Sequence, residues 1–354
     1  MKKTFLCAAA ALAAGSALFA QNFTADPGYS ARSIFNTAST DGAGFVISGL
    51  GTDSIGNLYY LETGPFVGGA DTRLFKRTVA DNFATPVQLF SFNGSVSGNF
   101  VKVSGSTVYF GEGTPSGGTI RSISVNGGAA TTFASVPGNY DLAIGISGAF
   151  VSANSSDSPA NEVYKLNLST GQLDTIVNPT NDYSGPVAVT SSGALLYGAT
   201  AFGMVAGSVS GGIYSFTASQ IASVTDSNPN VSDTSLPLSS CTRKVNDGNN
   251  QYLAYLDDQH LFQGNSPFGS AATITRFSLS GSVQEPVGTT GNNIDFVGAL
   301  ALSGSSVYTV VTSDFSSGPS AVYLITAIPE PSPIVLIASA CLLGSRRTRK
   351  DRRA

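Results

Sequence analysis

The chain has 354 residues and a formal charge of −4, but residues 21–328 alone carry 10 basic and 20 acidic side chains, a balance of −10 that repels nucleic acid and excludes it as a partner. With 40 glycines, 16 prolines, no tryptophan and only 11% charged residues, the composition points to many short strands joined by tight turns. One histidine excludes any site that needs two imidazoles, and Cys241, alone in the body, excludes an intramolecular disulfide there.

The first element in chain order is an address. Lys2 and Lys3 precede an apolar stretch from Phe5 to Ala14, and small residues follow at Gly15, Ser16, Ala17 and Ala20, as in a secretory signal peptide. Cleavage is expected after Ala20, giving residues 1–20 as the leader, with a cut after Ala17 as the alternative. Cys7 lies inside this stretch without the small residues that precede a lipoprotein cysteine, so it reads as an apolar filler.

The body repeats itself six times. Phe45 to Ser48 leads through Gly56 to Leu61, Phe100 to Val103 through Gly105 to Phe110, and Leu142 to Ile146 through Gly148 to Ser152. The later units are Val187 to Thr190 through Gly193 to Tyr197, Cys241 to Val245 through Gly248 to Tyr255, and Ala299 to Leu302 through Gly304 to Val311. The turn glycines are spaced by 49, 43, 45, 55 and 56 residues, close to the ~40–50 expected of propeller blades, and the helical period is missing. A third alternating strand follows each pair: Arg73 to Thr78, Thr119 to Val125, Glu162 to Leu168, Gly212 to Phe216, Thr273 to Leu279 and Ala321 to Thr326. Fourth strands are expected at Val87–Phe92, Ala130–Ser135, Leu173–Val177, Ile221–Val224 and Val283–Val287, but the sixth unit has none.

The missing strand is expected at the other end of the chain. Tyr29 to Phe35 stands before the first unit, followed by an asparagine-containing loop of the kind that elsewhere links a fourth strand to the next first strand. The reading is therefore an all-β, six-bladed β-propeller over residues 21–328. Its blades are roughly 45–95, 98–136, 140–178, 184–225, 240–288 and 294–327, with 29–35 as the closing strand that removes the exposed edges of an open array. Asp53-Ser54-Ile55-Gly56-Asn57-Leu58-Tyr59 resembles the strand-turn-strand signature of NHL-type and gluconolactonase-like propellers, well in this unit and loosely in the others. Unit four is the least regular, with glycines from Gly198 to Gly212 and a polar insertion from Asp226 to Ser240.

In such a ring the loops from second to third strands, and from fourth strands to the next first strands, gather on one face. The first set is expected to offer Glu62, Asp71, Glu112, Asn154, Asp157, Asp257, Asp258 and Asp314, and the second Asp41, Asp141, Asp182 and Asp295. Converging carboxylates with backbone oxygens are the all-oxygen environment that calcium prefers, which makes Glu62, Glu112, Asp257, Asp258 and Asp314 the candidate calcium ligands. The competing reading is that acids occupy loops because they cap turns and keep a surface soluble. Asp226-Ser227-Asn228-Pro229-Asn230 lacks the glycine and glutamate of a calcium-binding EF-hand loop, and Asp247-Gly248-Asn249-Asn250 is explained by turn geometry. No nucleophile elbow, phosphate-cradling loop, dinucleotide fingerprint or zinc-binding helix motif occurs. Acid and base chemistry through paired carboxylates would use Glu62, Glu112, Asp141, Asp257 and Asp295. His260, beside Asp257 and Asp258, reads as a solvated surface group.

The chain closes on a second address. Pro329-Glu330-Pro331-Ser332 precedes an apolar run of 11 residues from Ile334 to Gly344, followed by Arg346, Arg347, Arg349, Lys350, Arg352 and Arg353. Each proline fixes its own φ and keeps its predecessor out of the helical region, so Glu330 stays extended. The basic cluster is drawn to anionic lipid and resists crossing a bilayer, while the apolar run is short of the ~20 residues of a full span. Residues 329–354 resemble the PEP-CTERM sorting segment. The resemblance implies export, an exosortase-type processing enzyme as partner, transient contact with the inner membrane, and an exopolysaccharide-rich envelope or extracellular setting. Together the expectations describe a non-enzymatic propeller that binds a glycan or an envelope protein. The rival is a secreted, calcium-dependent lactonase-like hydrolase or polysaccharide-degrading enzyme.

Overall fold

Period-two alternation leaves each short strand with one face to bury on either side, and the chain meets that demand by stacking six small twisted sheets around an axis. The computed structural model describes residues 22–37, 45–63, 72–92, 97–114, 117–136, 138–154, 161–178, 185–199, 211–225, 234–245, 251–267, 269–280, 283–313 and 319–329. The leader (1–20) and residues 330–354 of the C-terminal segment lie outside these.

The first strands among the described residues, β1 (Phe23–Ala25) and β2 (Tyr29–Asn36), belong to sheets completed much later. Blade one is the four-stranded meander β3 (Val46–Thr52), β4 (Leu58–Thr63), β5 (Arg73–Arg77) and β6 (Val87–Ser91). Blade two follows as β7 (Ser97–Ser104), β8 (Thr107–Thr114), β9 (Gly117–Ser124) and β10 (Thr131–Ser135). Blade three is β11 (Asn139–Gly145), β12 (Gly148–Asn154), β13 (Asn161–Leu166) and β14 (Leu173–Asn178). Blade four starts regularly, with β15 (Val187–Val189), β16 (Leu195–Ala199) and β17 (Gly212–Phe216), and then departs from the expected pattern.

Ile221–Val224, expected as its fourth strand, is helical. Helix α1 (Ala218–Val224) starts at Thr217, whose hydroxyl accepts from the Gln220 N–H, while the Gln220 side chain accepts from the Thr217 N–H at 2.9 Å. This reciprocal cap satisfies two donors that a strand would have needed to pair elsewhere. After it, β18 (Leu236–Pro237) adds to blade three as a fifth, parallel strand beside β14, and β19 (Thr242–Val245) returns to pair with β17. The expected first strand of unit five is therefore the outer strand of blade four. Blade five opens instead at β20 (Tyr252–Asp257) and continues through β21 (His260–Asn265), β22 (Thr273–Phe277) and β23 (Gln284–Thr290), with β1 as a fifth strand outside β23.

Blade six is β24 (Phe296–Ser303), β25 (Ser306–Thr312) and β26 (Ser320–Ala327), completed by β2. The β2–β26 register runs from Tyr29 opposite Ala327 to Asn36 opposite Ala321, with a bulge at Ile34 between Ser33–Tyr323 and Phe35–Val322. The ring is thus closed by the opening segment of the chain, as the repeat pattern predicts. Across the seam between blades six and one, Ser320 Oγ accepts from the Ile47 N–H at 2.9 Å, and Thr37 Oγ1 accepts from the Ser320 N–H at 2.9 Å.

The inner strands β3, β7, β11, β15, β20 and β24 contact one another in sequence, and β24 returns to β3. Their starts define an upper end of the axis and their ends a lower one. Core packing runs along the seams: Ile47, Tyr60 and Phe75 of blade one meet Val310 and Val322 of blade six, while Tyr59, Leu61 and Leu74 meet Val108 and Phe110 of blade two. The lower turn of blade one shows why the repeat is legible. Gly56 takes φ +89°, the Gly56 N–H bonds the Asp53 carbonyl at 3.0 Å, and Asp53 Oδ1 accepts from the Asn57 N–H at 2.9 Å. Blade four repeats this with Gly193 at φ +82°, its N–H on the Thr190 carbonyl at 2.9 Å, and Thr190 Oγ1 accepting from the Ala194 N–H at 2.9 Å.

Candidate functional site

The axis holds a cavity. An open channel of about 290 Å³ lies in its lower half between all six inner strands, with Leu50, Val103, Leu142, Val189, Leu253 and Leu302 among the lining residues. Above it the channel narrows to about 20 Å³ among Asn99, Lys102, Tyr140, Asp141 and Tyr252. The inner strands of blades two and three bulge near their upper ends, between Gly98 and Val101 and between Asn139 and Asp141, and a bulge re-aims the side chains it carries. Asn99 and Tyr140 sit in those bulges.

At the throat, Lys102 Nζ of blade two lies 3.0 Å from Asp141 Oδ1 of blade three. Asp141 also accepts from its neighbours' backbone: Oδ1 from the Leu142 N–H at 2.9 Å and Oδ2 from the Val187 N–H at 3.1 Å. One carboxylate therefore ties blades two, three and four. The Tyr140 hydroxyl donates to the Gln251 carbonyl at 2.8 Å, and Asn99 Nδ2 donates to the Asn139 carbonyl at 2.6 Å. Burial in the throat raises the Tyr140 phenol well above its usual range and pushes Tyr252 up to about 12, with the Asp141 charge adding to both. Both hydroxyls stay protonated at neutral pH and can donate hydrogen bonds.

The expected acids do not form one constellation. Glu62, fully buried, shares a face of β4 with Tyr60 and so lies in the seam between blades six and one, where Arg73 Nη2 donates to its Oε2 at 3.0 Å. Arg73 in turn stacks over Phe45 at 4.4 Å. Glu112 shares a face with Phe110 in the next seam, held by Arg121 through Nε at 2.6 Å and Nη2 at 3.0 Å, with Thr119 donating at 2.6 Å. The two glutamates occupy equivalent places in successive blades, each paired with an arginine of the third strand.

Asp257 and Asp258 were expected on the upper face, in a loop between second and third strands. They lie at the lower end, because β20 is the first strand of blade five and the turn after it leads into β21. Asp257 Oδ1 lies 2.8 Å from His260 Nδ1, and that bond lowers the Asp257 pKa. Asp258 accepts from the Tyr255 hydroxyl at 2.6 Å. Asp295, nearly buried beside the start of β24, accepts from Asn292 Nδ2 at 3.0 Å, and burial raises its pKa. Asp41, Asp71, Asp157, Asp182, Asp314 and the loop at 247–250 lie outside the described residues, as do Glu330, Pro331, Ser332, Arg346, Arg347 and Arg349, while Asn154 ends β12. Among the described residues no three His, Cys, Asp or Glu side chains come together as a metal site.

The throat residues Lys102, Asn99, Tyr140 and Tyr252 escaped the sequence reading. Lys102 carried a usable signal, since it is the one charge in the otherwise apolar Phe100–Val103 run. The bulges that deliver Asn99 and Tyr140 carry none.

Fold and axial channel together define a six-bladed β-propeller closed by its N-terminal strand. Solved structures with the same architecture include a protein of unknown function from Dyadobacter fermentans (9% identity, 86% of this chain and 100% of that one, TM-score 0.56). A gluconolactonase from Xanthomonas campestris aligns at 11% identity over 81% of this chain and 87% of its own, with a TM-score of 0.50. The calcium-binding protein regucalcin from Agrobacterium tumefaciens aligns at 13% identity over 82% and 94%, also at 0.50. At these identities the likeness is one of fold. No protein-family model matches the chain, and no curated protein matches it in sequence.

Proposed function

We propose that this propeller is an exported cell-envelope or extracellular-matrix-associated protein that acts as a non-enzymatic binding module for a glycan or an envelope protein. The observation that carries this reading is the separate commitment of the five candidate acids. Glu62 and Glu112 answer arginines in different seams, Asp141 answers Lys102 in the throat, Asp257 answers His260 at the lower end, and Asp295 answers Asn292. Glycosidic hydrolysis by paired carboxyl groups needs both to flank one bond, and these are spread over five blades and both ends of the axis. Export, processing by an exosortase-type enzyme and transient inner-membrane contact are proposed on the Lys2–Ala20 leader and the Pro329–Arg353 segment.

The competing hydrolase reading draws on the gluconolactonase and regucalcin likeness, which also keeps calcium in view. One screen separates the two. The purified protein is applied to a glycan array and to a pull-down from envelope extract, and is incubated with lactones and polysaccharides with and without calcium. Retention without product is expected. Calcium-dependent turnover that is lost in Glu62→Ala or Asp141→Ala would replace the binding reading with the enzymatic one.

A further inference from the structure

The start of β1 runs along the outer edge of blade five towards an acid that no other charge answers. Asp295 is 4% exposed, its Oδ2 accepts from Asn292 Nδ2 at 3.0 Å, and no cation among the described residues pairs with it. A carboxylate withdrawn from water is costly unless a positive charge matches it.

Two sets of contacts bring β1 to this carboxylate. Phe23 stands opposite Thr290, and the Asn22 carbonyl accepts from the Gly291 N–H at 2.6 Å, so the ladder continues one residue beyond β1. The next residue on the facing strand is Asn292, whose Nδ2 holds Asp295 and whose Oδ1 accepts from the Ile294 and Asp295 N–H groups at 3.0 and 2.8 Å. From the other side, the Phe23 ring lies 5.7 Å from that of Tyr323, and burial and the Asp295 charge both raise the Tyr323 phenol. Gln21 itself lies outside the described residues. Resting on removal of the leader after Ala20, we infer that the new α-ammonium of Gln21, which the continued register sets opposite Asn292, pairs with Asp295 and locks β1 onto blade five. In the uncleaved chain the nitrogen of residue 21 is an uncharged peptide N–H, so the lock forms only once the leader is gone. Asp26-Pro27-Gly28 joins β1 directly to β2, and fixing the one therefore also fixes the strand that closes blade six.

The test uses a chain of residues 21–354, prepared as it stands and with Gln21→Ser, which keeps the amine but removes the amide onto which a terminal glutamine cyclises. Amine labelling at pH 8, read on the N-terminal peptide by mass spectrometry, should run at least about tenfold slower in the folded than in the urea-unfolded chain, because a free α-amine titrates near ~8 and pairing raises it by at least about one unit. Asp295→Asn should restore most of the unfolded rate. A Gly-Ser extension ahead of residue 21, which displaces the amine, should do the same, and it serves alone should Asp295→Asn fail to fold. In urea denaturation Asp295→Asn should lower the midpoint of the unextended chain and leave that of the extended chain unchanged. A folded amine labelled at the unfolded rate, or an equal midpoint loss in both chains, overturns the inference. N-terminal sequencing of the exported protein separates it from the leader reading. A start other than Gln21 overturns the cut after Ala20 and with it the lock in the exported protein, whereas an unprotected amine in a protein that does start at Gln21 overturns the lock alone.

Discussion

The Arg77 guanidinium lies 4.1 Å from the ring centroid of Phe35, joining blade one to the strand that closes blade six. Arg77 is 1% exposed, and its fork is occupied by the Tyr60 hydroxyl at 3.1 Å and the Phe83 and Ala84 carbonyls at 2.7 and 3.0 Å. Those carbonyls are presented by a turn in which Asn82 and Phe83 both take positive φ. The Phe35 ring also packs on Tyr60 at 5.1 Å, so the clasp is held by side-chain packing as well as by its hydrogen-bond ladder. Phe35→Ala should lower unfolding stability by about 3–5 kcal/mol, the usual cost of truncating a buried aromatic. Urea denaturation checks it, and a loss below 1 kcal/mol would show that the ladder alone holds the ring.

The lower turns of blades one and four offer a graded comparison. Asp53 accepts four bonds, from the N–H groups of Ile55 and Asn57, from Asn57 Nδ2 and from the Tyr59 hydroxyl, at 3.1, 2.9, 2.8 and 3.1 Å. Thr190 receives the equivalent Ala194 N–H and a contact with Ser192. Asp53→Ala should cost about 2–3 kcal/mol and Thr190→Val about 1 kcal/mol, because the first leaves more donors unanswered and Tyr59 is fully buried. Thermal unfolding of the two variants side by side would reveal the order.

Glu112→Gln tests whether the seam acids are structural. The neutral amide keeps the Thr119 contact but weakens the two-point grip on Arg121, whose side chain is 27% exposed and so partly screened. A loss of about 1 kcal/mol with unchanged retention on whichever array ligand is found is expected. Loss of retention without loss of stability would move Glu112 into the binding machinery.

Burial raises the Cys241 thiol from its usual 9.0 to about 11. The folded state therefore holds this proton more tightly than the unfolded chain. The associated stability is present below pH 9 and falls as pH rises from about 9 to 11. With Cys7 and Cys341 changed to serine, alkylation of the native protein at pH 8 should run about a hundredfold slower than that of the unfolded chain, since each pKa unit is a factor of ten in thiolate. Equal rates would show a thiol open to water.

Calcium added after chelator treatment should leave the melting temperature unchanged, since Glu62, Glu112 and Asp141 already have cationic partners and Asp257 is bonded to His260. A rise that saturates with calcium would restore the metal reading.

What the linear chain determined by itself is whatever rests on local chemistry. Turn glycines such as Gly56 and Gly193 take positive φ at no steric cost, and alternation along Glu162–Leu168 or Thr273–Leu279 marks a strand with two faces, so the blade count and the need for a closing strand at Tyr29–Phe35 followed. Tertiary structure decided the rest. Ile221–Val224 is helical through the Thr217–Gln220 capping box, a local signal the sequence carries, but that blade four takes Thr242–Val245 as its outer strand depends on pairing across a long insertion. Tyr252–Asp257 is then the first strand of blade five and not its second, His260–Asn265 supplies the second, and Asp257 and Asp258 lie at the far end of the axis. Side-chain direction at the throat depends on bulges, which add an unpaired residue with no local sequence mark, and the Lys102–Asp141 pair depends on how two blades stack. Strand pairing and seam packing join residues distant in sequence, and no local propensity encodes which carboxylate will meet which cation.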